Sequence, residues 1–301
     1  MQEQIVVGDE IPLSEPPRPA SAPRHMAPQG ATDCHFHIFG PHTRYALGAG
    51  RGYTPSEEAN IDTYRKMAET IGLDRVVIVN PTPYGTDHSC TIDSIEQFGR
   101  DRARAVAVID DSFTPARLRE LDSYGFCAAR VNNVNKNATR VSELQSVLRQ
   151  IEPLGWHLEV YVDGRELPGL EATLLSLPVD VVIDHMGRIP TERGMNSPEF
   201  QALLRLLGSG KCWVKLVGYR CSSLGPPYSD LLAPARALIS AAPEKCVWGT
   251  DWPHPRLTGK YLPDDGRLLD MLNDWVPDQK QLHRILVENP ARLYGFGDSA
   301  A

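Results

Sequence analysis

The hydrophobic residues of this chain fall into eight short runs rich in valine and isoleucine, separated by longer amphipathic segments. Most of the runs are apolar on both faces, as is typical of parallel strands that are covered on both sides. They predict strands at residues 32–38, 75–80, 103–110, 127–133, 157–163, 180–186, 211–217 and 245–251.

The segments between these strands have helical periodicity. The clearest predicted helices cover residues 60–71, 114–124, 141–152, 197–207, 229–241 and 264–275. Several begin with a capping signal, namely Thr114-Pro115, Ser142, Ser197-Pro198 and Asp264-Asp265. Eight alternating units predict an α/β protein with a single (β/α)8 TIM barrel over residues 31–301. A doubly wound sheet is the alternative, but no Gly-x-Gly-x-x-Gly follows a strand.

Residues 1–30 have a different composition from the rest of the chain. Prolines at positions 12, 16, 17, 19, 23 and 28 exclude a long helix or a central strand there. We expect an extended, irregular arm that lies on the barrel or on a neighbouring subunit, with a disordered tail as the alternative.

Composition narrows the class of protein. The 301 residues have a formal net charge of −7, which disfavours a nucleic-acid surface but leaves room for a local anion-binding pocket. The six cysteines form no Cys-x-x-Cys pair, so we expect free thiols in a reducing cytoplasm. Neither a signal peptide nor a membrane-spanning run is recognisable. We expect a monomer or a small homo-oligomer.

Polar residues collect where the predicted strands end, which is the rim that carries active sites in TIM barrels. His35 and His37 leave the same face of the first strand, because side chains alternate along a strand. A lone histidine in an apolar run is usually a core residue, whereas convergence at one rim indicates a site. The other rim residues are Arg130, Asn132, Asn133, Tyr161, Asp163, His185, Arg188, Lys215, Tyr219, Arg220, Asp251 and His254.

Three motifs carry a family resemblance. Asp33-Cys34-His35-Phe36-His37, Ile183-Asp184-His185 and Gly249-Thr250-Asp251-Trp252-Pro253-His254-Pro255 resemble the amidohydrolase superfamily, in particular the branch that contains 2-pyrone-4,6-dicarboxylate lactonase. The resemblance extends over residues 30–295. Further matching segments are Gly85-Thr86-Asp87, Gly155-Trp156-His157, Met186-Gly187-Arg188, Gly225-Pro226-Pro227 and Asn289-Pro290-Ala291-Arg292-Leu293-Tyr294. The resemblance implies a hydrolase that opens a small anionic lactone during the breakdown of aromatic compounds.

Lactone hydrolysis requires an activated water, a polarised carbonyl and a stabilised oxyanion. Asp251 is the candidate general base, and His254 is a candidate to orient Asp251 or the loop that carries it. His35, His37 and His185 are candidates to polarise the carbonyl, either directly or through a metal ion.

The arginines predict a substrate with acidic groups, because guanidinium forms paired bonds to carboxylates. Arg130, Arg188 and Arg220 are the candidates, although a protein carboxylate could instead be the partner of Arg130. We also predict substrate contacts from a further group of polar residues: Lys136, Tyr161, Tyr53 and Thr82.

The residue pattern leaves the presence of a metal ion open. His35, His37, His185 and Asp251 could hold one divalent ion such as Zn²⁺. Metal-using members of the superfamily add a lysine or glutamate on strand 4 and a histidine ending strand 5, where this chain has Arg130 and Tyr161. The resemblance implies a metal-free lactonase branch, so we favour no required cofactor.

Two departures from the lactonase pattern leave the substrate open. Residues 80–85 lack the glutamine, serine and histidine of that pattern, and Lys136 replaces an arginine. Alternative substrates are 4-sulfomuconolactone and a galactarolactone that is hydrolysed or isomerised. Rival interpretations are a metal-dependent amidohydrolase or decarboxylase of the same superfamily, and a binding barrel without catalysis.

Overall fold

The computed structural model of the protein describes residues 11–297. Eight parallel strands form one sheet in chain order. They are β1 Thr32–Phe36, β2 Arg75–Val79, β3 Ala103–Ala107, β4 Phe126–Asn132, β5 His157–Tyr161, β6 Val181–Ile183, β7 Cys212–Lys215 and β8 Cys246–Val247. The backbone N–H of Cys34 donates to Trp248 O at 2.9 Å, and that of Asp251 donates to His35 O at 2.7 Å. These bonds join β1 to the residues that directly follow β8 and close the sheet, so the predicted barrel is confirmed.

Helices connect the strands around the outside of the barrel. They are α1 Ile61–Ile71, α2 Ser89–Phe98, α3 Pro115–Tyr124, α4 Leu144–Ile151, α5 Leu167–Ser176, α6 Pro198–Gly208, α7 Leu232–Ala241 and α8 Asp265–Trp275. A last segment contains α9 Gln279–His283, a π-helical turn Arg284–Glu288 and α10 Asn289–Tyr294. It lies under the amino-terminal end of the barrel, where Asn289 Nδ2 donates to Cys246 O at 2.7 Å.

The predicted helix caps are correct at three positions and wrong at one. The side chains of Thr114, Ser197 and Asp264 accept hydrogen bonds from the first turns of α3, α6 and α8. Ser142 does not cap a helix, because it lies inside a 3₁₀ turn, Val141–Glu143, that precedes α4.

The predicted strands β6 and β8 are too long. They end at Ile183 and Val247, and the chain leaves the extended conformation at His185 and, at the latest, at Asp251. His185 and Asp251 both have a positive φ, of 49° and 61°. A non-glycine residue in the left-handed region of backbone conformation is strained by roughly 1–2 kcal/mol, and such strain concentrates at functional sites.

Residues 11–30 contain no helix and lie on the barrel's own surface. The N–H of Ser14 donates to Thr54 O at 2.8 Å, and the N–H of Arg24 donates to Asp270 Oδ1 at 2.6 Å. This part of the predicted arm therefore contacts α8 and the loop after β1. The predictions for residues 1–10 and 298–301 lie outside the described residues. Among residues 11–297, no helix is long and apolar enough to cross a membrane.

The barrel interior is apolar at its amino-terminal end and charged near its carboxyl end. The apolar layer consists of Cys34, Val77, Val79, Val106, Ala128, Val182, Trp213 and Val247. Because strand residues two apart share a face, Arg130, Asp184 and Lys215 lie directly above members of this layer. Strand β1 has a register irregularity between Asp33 and Phe36, just where His35 joins the charged layer.

Candidate active site

A buried ionic layer forms the floor of the site. Lys215 Nζ lies 2.6 Å from Glu159 Oε1 and 3.4 Å from Asp184 Oδ1. Arg130 Nε donates to Asp184 Oδ2 at 2.7 Å, and the Arg130 guanidinium stacks on the ring of Tyr161. Burial favours the protonated carboxyl, but Lys215 and Arg130 outweigh it and hold the pKa of Asp184 well below its ordinary value. Arg130 therefore does have a protein carboxylate as its partner, the alternative to a substrate group, and this carboxylate is Asp184.

The two histidines of the first motif converge on Asp251. His35 Nε2 and His37 Nε2 lie 3.7 Å and 3.6 Å from Asp251 Oδ1. The other ring nitrogen of His37 lies 2.8 Å from Val79 O, and since a carbonyl only accepts, His37 Nδ1 carries a proton. In its neutral form His37 thus presents the Nε2 lone pair to the site. Burial and the charge of Lys215 lower the pKa of His35 to about 4, so His35 is neutral at pH 7.

His185 lies on a strained loop beside these histidines. Its ring centroid is 4.6 Å from that of His35 and 4.8 Å from that of Tyr161. Burial lowers the pKa of His185 well below its ordinary value, so this imidazole is also neutral. Positive φ angles at His185, Met186 and Arg188 turn the chain sharply after β6 and direct the imidazole to the rim.

Asp251 is held by two strong donors. Tyr219 Oη donates to Asp251 Oδ2 at 2.5 Å, and Arg220 Nε donates to the same oxygen at 2.6 Å. Burial raises the pKa of Asp251, but Arg220 and the nearby imidazoles outweigh burial and place the pKa well below its ordinary value. Oδ2 is occupied by these donors, whereas Oδ1 faces His35 and His37.

A second line of buried polar residues supports Asp251 from behind. His254 Nδ1 lies 3.2 Å from Tyr219 Oη, and His254 Nε2 lies 3.1 Å from Asp265 Oδ1. The second contact is within ion-pair distance but is not aligned as a hydrogen bond. His254 was a candidate to orient Asp251 or its loop. Its backbone N–H donates to Asp251 O at 2.8 Å, whereas its ring reaches the Asp251 carboxylate only through Tyr219.

Asp33 joins the first motif to the last. Its carboxylate accepts from Thr250 N at 3.0 Å, from Thr250 Oγ1 at 2.6 Å and from Tyr64 Oη at 3.0 Å. Burial outweighs these bonds and raises the pKa of Asp33 from 3.8 to about 6. The role of Asp33 is to fix β1 against the loop that carries Asp251, which explains the first residue of the motif.

A cavity of about 400 Å³, partly open to solvent, lies above these groups. It is lined by His37, Tyr53, Thr82, Arg130, Asn135, Tyr161, His185, Arg220, Asp251, Pro255 and Arg256. Eight of these were candidate site residues, and the other three were not identified from the sequence. Arg256 follows the strand 8 motif directly, so the motif itself was the signal that could have revealed it.

Apart from His254, Lys215 and Tyr219, which are described above, three candidate catalytic or substrate-binding residues do not line this cavity. His35 is fully buried beneath it. Arg188 Nη1 donates to Tyr161 Oη at 2.7 Å and thus supports the cavity wall. Lys136 is exposed, and its neighbour Asn135 faces the cavity instead. Glu159, a fully buried partner of Lys215 on β5, was not identified from the sequence either.

The possible ligand atoms lie close enough together to hold a metal ion, but the charges around them disfavour one. His35, His37 and Asp251 offer ligand atoms within 4.8 Å of one another, as do His35, Asp184 and His185. However, the buried carboxylates Glu159, Asp184 and Asp251 are already paired with Lys215, Arg130 and Arg220. A dication added to this balanced set would lie beside three cations without a new counter-charge. These ion pairs therefore disfavour a resident divalent ion at this donor set.

Comparisons with known proteins agree with this geometry. An amidohydrolase family model matches residues 32–296. A 4-sulfomuconolactone hydrolase from Hydrogenophaga intermedia is 35% identical, covering 90% of this chain and 91% of the relative. A 2-pyrone-4,6-dicarboxylate hydrolase from Comamonas testosteroni is 34% identical, with 91% and 93% covered. A D-galactarolactone isomerase from Agrobacterium fabrum is also 34% identical, with 91% and 94% covered.

Solved structures give the same result. An apo protein of Agrobacterium tumefaciens has a TM-score of 0.83 at 32% identity, covering 92% of this chain and 100% of that one. A probable 2-pyrone-4,6-dicarboxylic acid hydrolase from Acinetobacter baumannii, with citric acid bound, has a TM-score of 0.77 at 28% identity, with 89% and 100% covered. The family model spans the whole barrel with all three motifs, so this chain belongs to the amidohydrolase family.

Proposed function

We propose that the protein hydrolyses a small anionic lactone of the 2-pyrone-4,6-dicarboxylate or 4-sulfomuconolactone type, in the breakdown of aromatic compounds. The observation that carries the proposal is one cavity in which Asp251 and two imidazoles lie beside Arg130, Arg220 and Arg256. The acid–base groups supply lactone chemistry, and the arginines supply affinity for carboxylate or sulfonate groups. The relatives named for these two substrates have 34–35% identity to this chain.

The attacking water would lie between Asp251 Oδ1 and His37 Nε2. Both atoms accept hydrogen bonds, and they are 3.6 Å apart, so one water can donate a proton to each. Asp251 takes the proton as the oxygen attacks the lactone carbonyl. His37 would orient the water through Nε2, because its Nδ1–H donates a hydrogen bond to Val79 O.

The carbonyl oxygen would be polarised by two neutral imidazoles. His185 lines the cavity, whereas His35 lies beneath it and reaches the site only where its Nε2 approaches Asp251 Oδ1, at 3.7 Å. His35 and His185 are adjacent, with ring centroids 4.6 Å apart, and both have pKa values lowered by burial. A neutral imidazole N–H stabilises a developing oxyanion without transferring its proton, as a fixed donor in a water-poor site does. Collapse of the tetrahedral intermediate then breaks the ring C–O bond, and the proton held by Asp251 passes to the leaving oxygen.

The strength of Asp251 as a base would depend on the substrate. In the free site Arg220 is the largest charge that holds the pKa of Asp251 down. A substrate carboxylate or sulfonate that engages the remaining N–H groups of Arg220 shares this positive charge. Asp251 then becomes a stronger base when an anionic lactone is bound, which favours acidic substrates over neutral ones.

An isomerase is the second candidate, because the Agrobacterium fabrum relative named D-galactarolactone isomerase is as similar as the hydrolases. Migration of a lactone between hydroxyl groups would use the same base with a substrate hydroxyl in place of water. The two reactions differ in stoichiometry: hydrolysis consumes one water and releases one proton at neutral pH, whereas isomerisation releases none.

We also propose that activity needs no resident metal ion, on the basis of the balanced charges around Asp251. Activity should survive treatment with EDTA followed by its removal, and purified protein should hold well below one equivalent of zinc by plasma mass spectrometry. One equivalent of zinc, with activity lost on its removal and restored by Zn²⁺, would contradict this proposal.

A cytoplasmic location is consistent with six cysteines that form no disulfide.

The test of the function is a screen of purified protein against 2-pyrone-4,6-dicarboxylate, 4-sulfomuconolactone and galactarolactone. Loss of ring absorbance, proton release in a pH-stat and product mass would be followed together. Hydrolysis of one anionic lactone with kcat/KM of at least about 10⁴ M⁻¹s⁻¹ supports the proposal. Isomerisation without proton release favours the second candidate, and inactivity towards all three rejects both.

A further inference from the structure

Lys215 has no assigned role, although it occupies the centre of the site's floor. Its side chain is fully buried, and its Nζ contacts Glu159 Oε1 at 2.6 Å, Asp184 Oδ1 at 3.4 Å and His35 Nδ1 at 3.1 Å. Two carboxylates at these distances hold the lysine as an ammonium ion. It is therefore a buried cation directly below the imidazole of His35.

The contact with His35 determines where the imidazole proton lies. An ammonium group has three N–H donors and no acceptor. At 3.1 Å, the ring nitrogen that faces it has to accept a hydrogen bond, because an Nδ1–H would point at another donor. The competing partner for an Nδ1–H is Asp184 Oδ1, which at 3.6 Å from Nδ1 is beyond hydrogen-bond distance.

We infer that Lys215 is a positioning residue that fixes His35 as the Nε2–H tautomer, so that His35 can only donate a hydrogen bond into the site. His35 Nε2 is buried without a hydrogen-bond partner and lies 3.7 Å from Asp251 Oδ1. A donor left without a partner is ready to bind an oxygen that arrives with a ligand. Under the proposed function, on which this detail rests, that oxygen is the lactone carbonyl.

The same tautomer prevents His35 from binding a metal ion through Nε2, while Nδ1 is occupied by the Lys215 ammonium. A histidine coordinates a metal through an unprotonated ring nitrogen, and the other nitrogen then carries the proton. His35 can present an unprotonated Nε2 only if Nδ1 is protonated, which the Lys215 ammonium opposes. His37 has the opposite arrangement, since Val79 O accepts from its Nδ1. One lysine thus decides between a donor site and a metal site built from the same histidines.

The first test uses the unaltered protein and needs no lactone. The ¹⁵N chemical shifts of protein labelled in its histidine rings distinguish protonated from unprotonated ring nitrogens, and the spectrum of His35→Gln assigns the His35 signals. We expect a protonated Nε2 and an unprotonated Nδ1 at pH 7. A protonated Nδ1 on His35 would overturn the inference.

The second test removes the lysine. Lys215→Met alone leaves Glu159 and Asp184 facing each other, so the paired variant Lys215→Met/Glu159→Gln keeps the charge balance of the layer. We expect the Nδ1–H form of His35 to appear in this variant. Its affinity for Zn²⁺, measured by equilibrium dialysis, should rise at least tenfold over the unaltered protein. Adding His35→Gln should abolish the gain.

Lys245→Met is the matched control, because Lys245 precedes β8 at the opposite end of the barrel and pairs with Asp180 at 4.0 Å. It should leave Zn²⁺ affinity unchanged. A folded paired variant with unaltered Zn²⁺ affinity and tautomer would refute the role of Lys215. Neither readout involves substrate, so failure of the lactone screen and failure of this inference are separate results.

Discussion

Replacing Asp251 with asparagine should reduce catalysis and strengthen anion binding at the same time. The Asp251 carboxylate accepts from Tyr219 and Arg220 at 2.5 and 2.6 Å. The amide keeps the shape and one accepting oxygen but cannot take a proton from water. Loss of a general base typically costs a factor of about 10²–10⁴, so kcat for the hydrolysed lactone should fall by that factor.

The effect on binding follows from the charge that is removed. A ligand carboxylate about 6 Å from Asp251 is repelled by about 3 kcal/mol at an effective dielectric constant of about 20. Solvent in the open cavity and relaxation of Arg220 reduce this repulsion to about 1.4 kcal/mol. Removing a repulsion of that size lowers Kd about tenfold. A planar dianion without a lactone bond, pyridine-2,4-dicarboxylate, should therefore bind Asp251→Asn about tenfold more tightly.

Steady-state kinetics and isothermal titration calorimetry measure the two effects. Glu96→Gln is the control, because it changes the net charge equally at an exposed position on α2. If kcat falls less than tenfold, Asp251 is not the base. If the dianion binds more weakly in parallel with the loss of kcat, the substitution has damaged the site and the electrostatic reasoning fails.

Three further substitutions test other parts of the site. Arg220→Met removes the largest charge that lowers the pKa of Asp251, so the acidic limb of kcat/KM against pH should move to higher pH and KM should rise at least tenfold. Gly249→Ala places a Cβ 2.6 Å from His35 N and should destabilise the fold by about 1–3 kcal/mol in urea titrations, whereas Gly169→Ala in α5 meets no atom within 4 Å and should be neutral or stabilising. Asp33 has a folded pKa of about 6 against an ordinary 3.8, so its contribution to stability is complete below about pH 4 and is lost as pH rises through about 6. The unaltered protein should therefore lose about 3 kcal/mol of its free energy of unfolding between pH 4 and 7, as measured by urea titration. Asp33→Asn should not show this loss. If both proteins lose the same stability over this pH range, the assignment to Asp33 is rejected.

The barrel and the rim were predictable because they depend on local patterns. Strands that are apolar on both faces have to be buried on both faces, which is the case for parallel strands connected by helices. Parallel strands end at the same rim, so His37, His185 and Asp251 were expected together, and they do line one cavity. A protein carboxylate was also foreseen as a possible partner of Arg130, because a charged group within an apolar strand needs one.

Other features of the site were decided only by the tertiary structure. Periodicity shows which face a side chain occupies, but the contacts of that side chain depend on residues far along the chain. Arg130 meets Asp184 across 54 residues, and Lys215 meets His35 across 180. The sequence thus determined a rim with histidines, arginines and one aspartate. Only the folded barrel sets the charge balance and the imidazole protons, because both depend on distances of about 3 Å between residues from different strands.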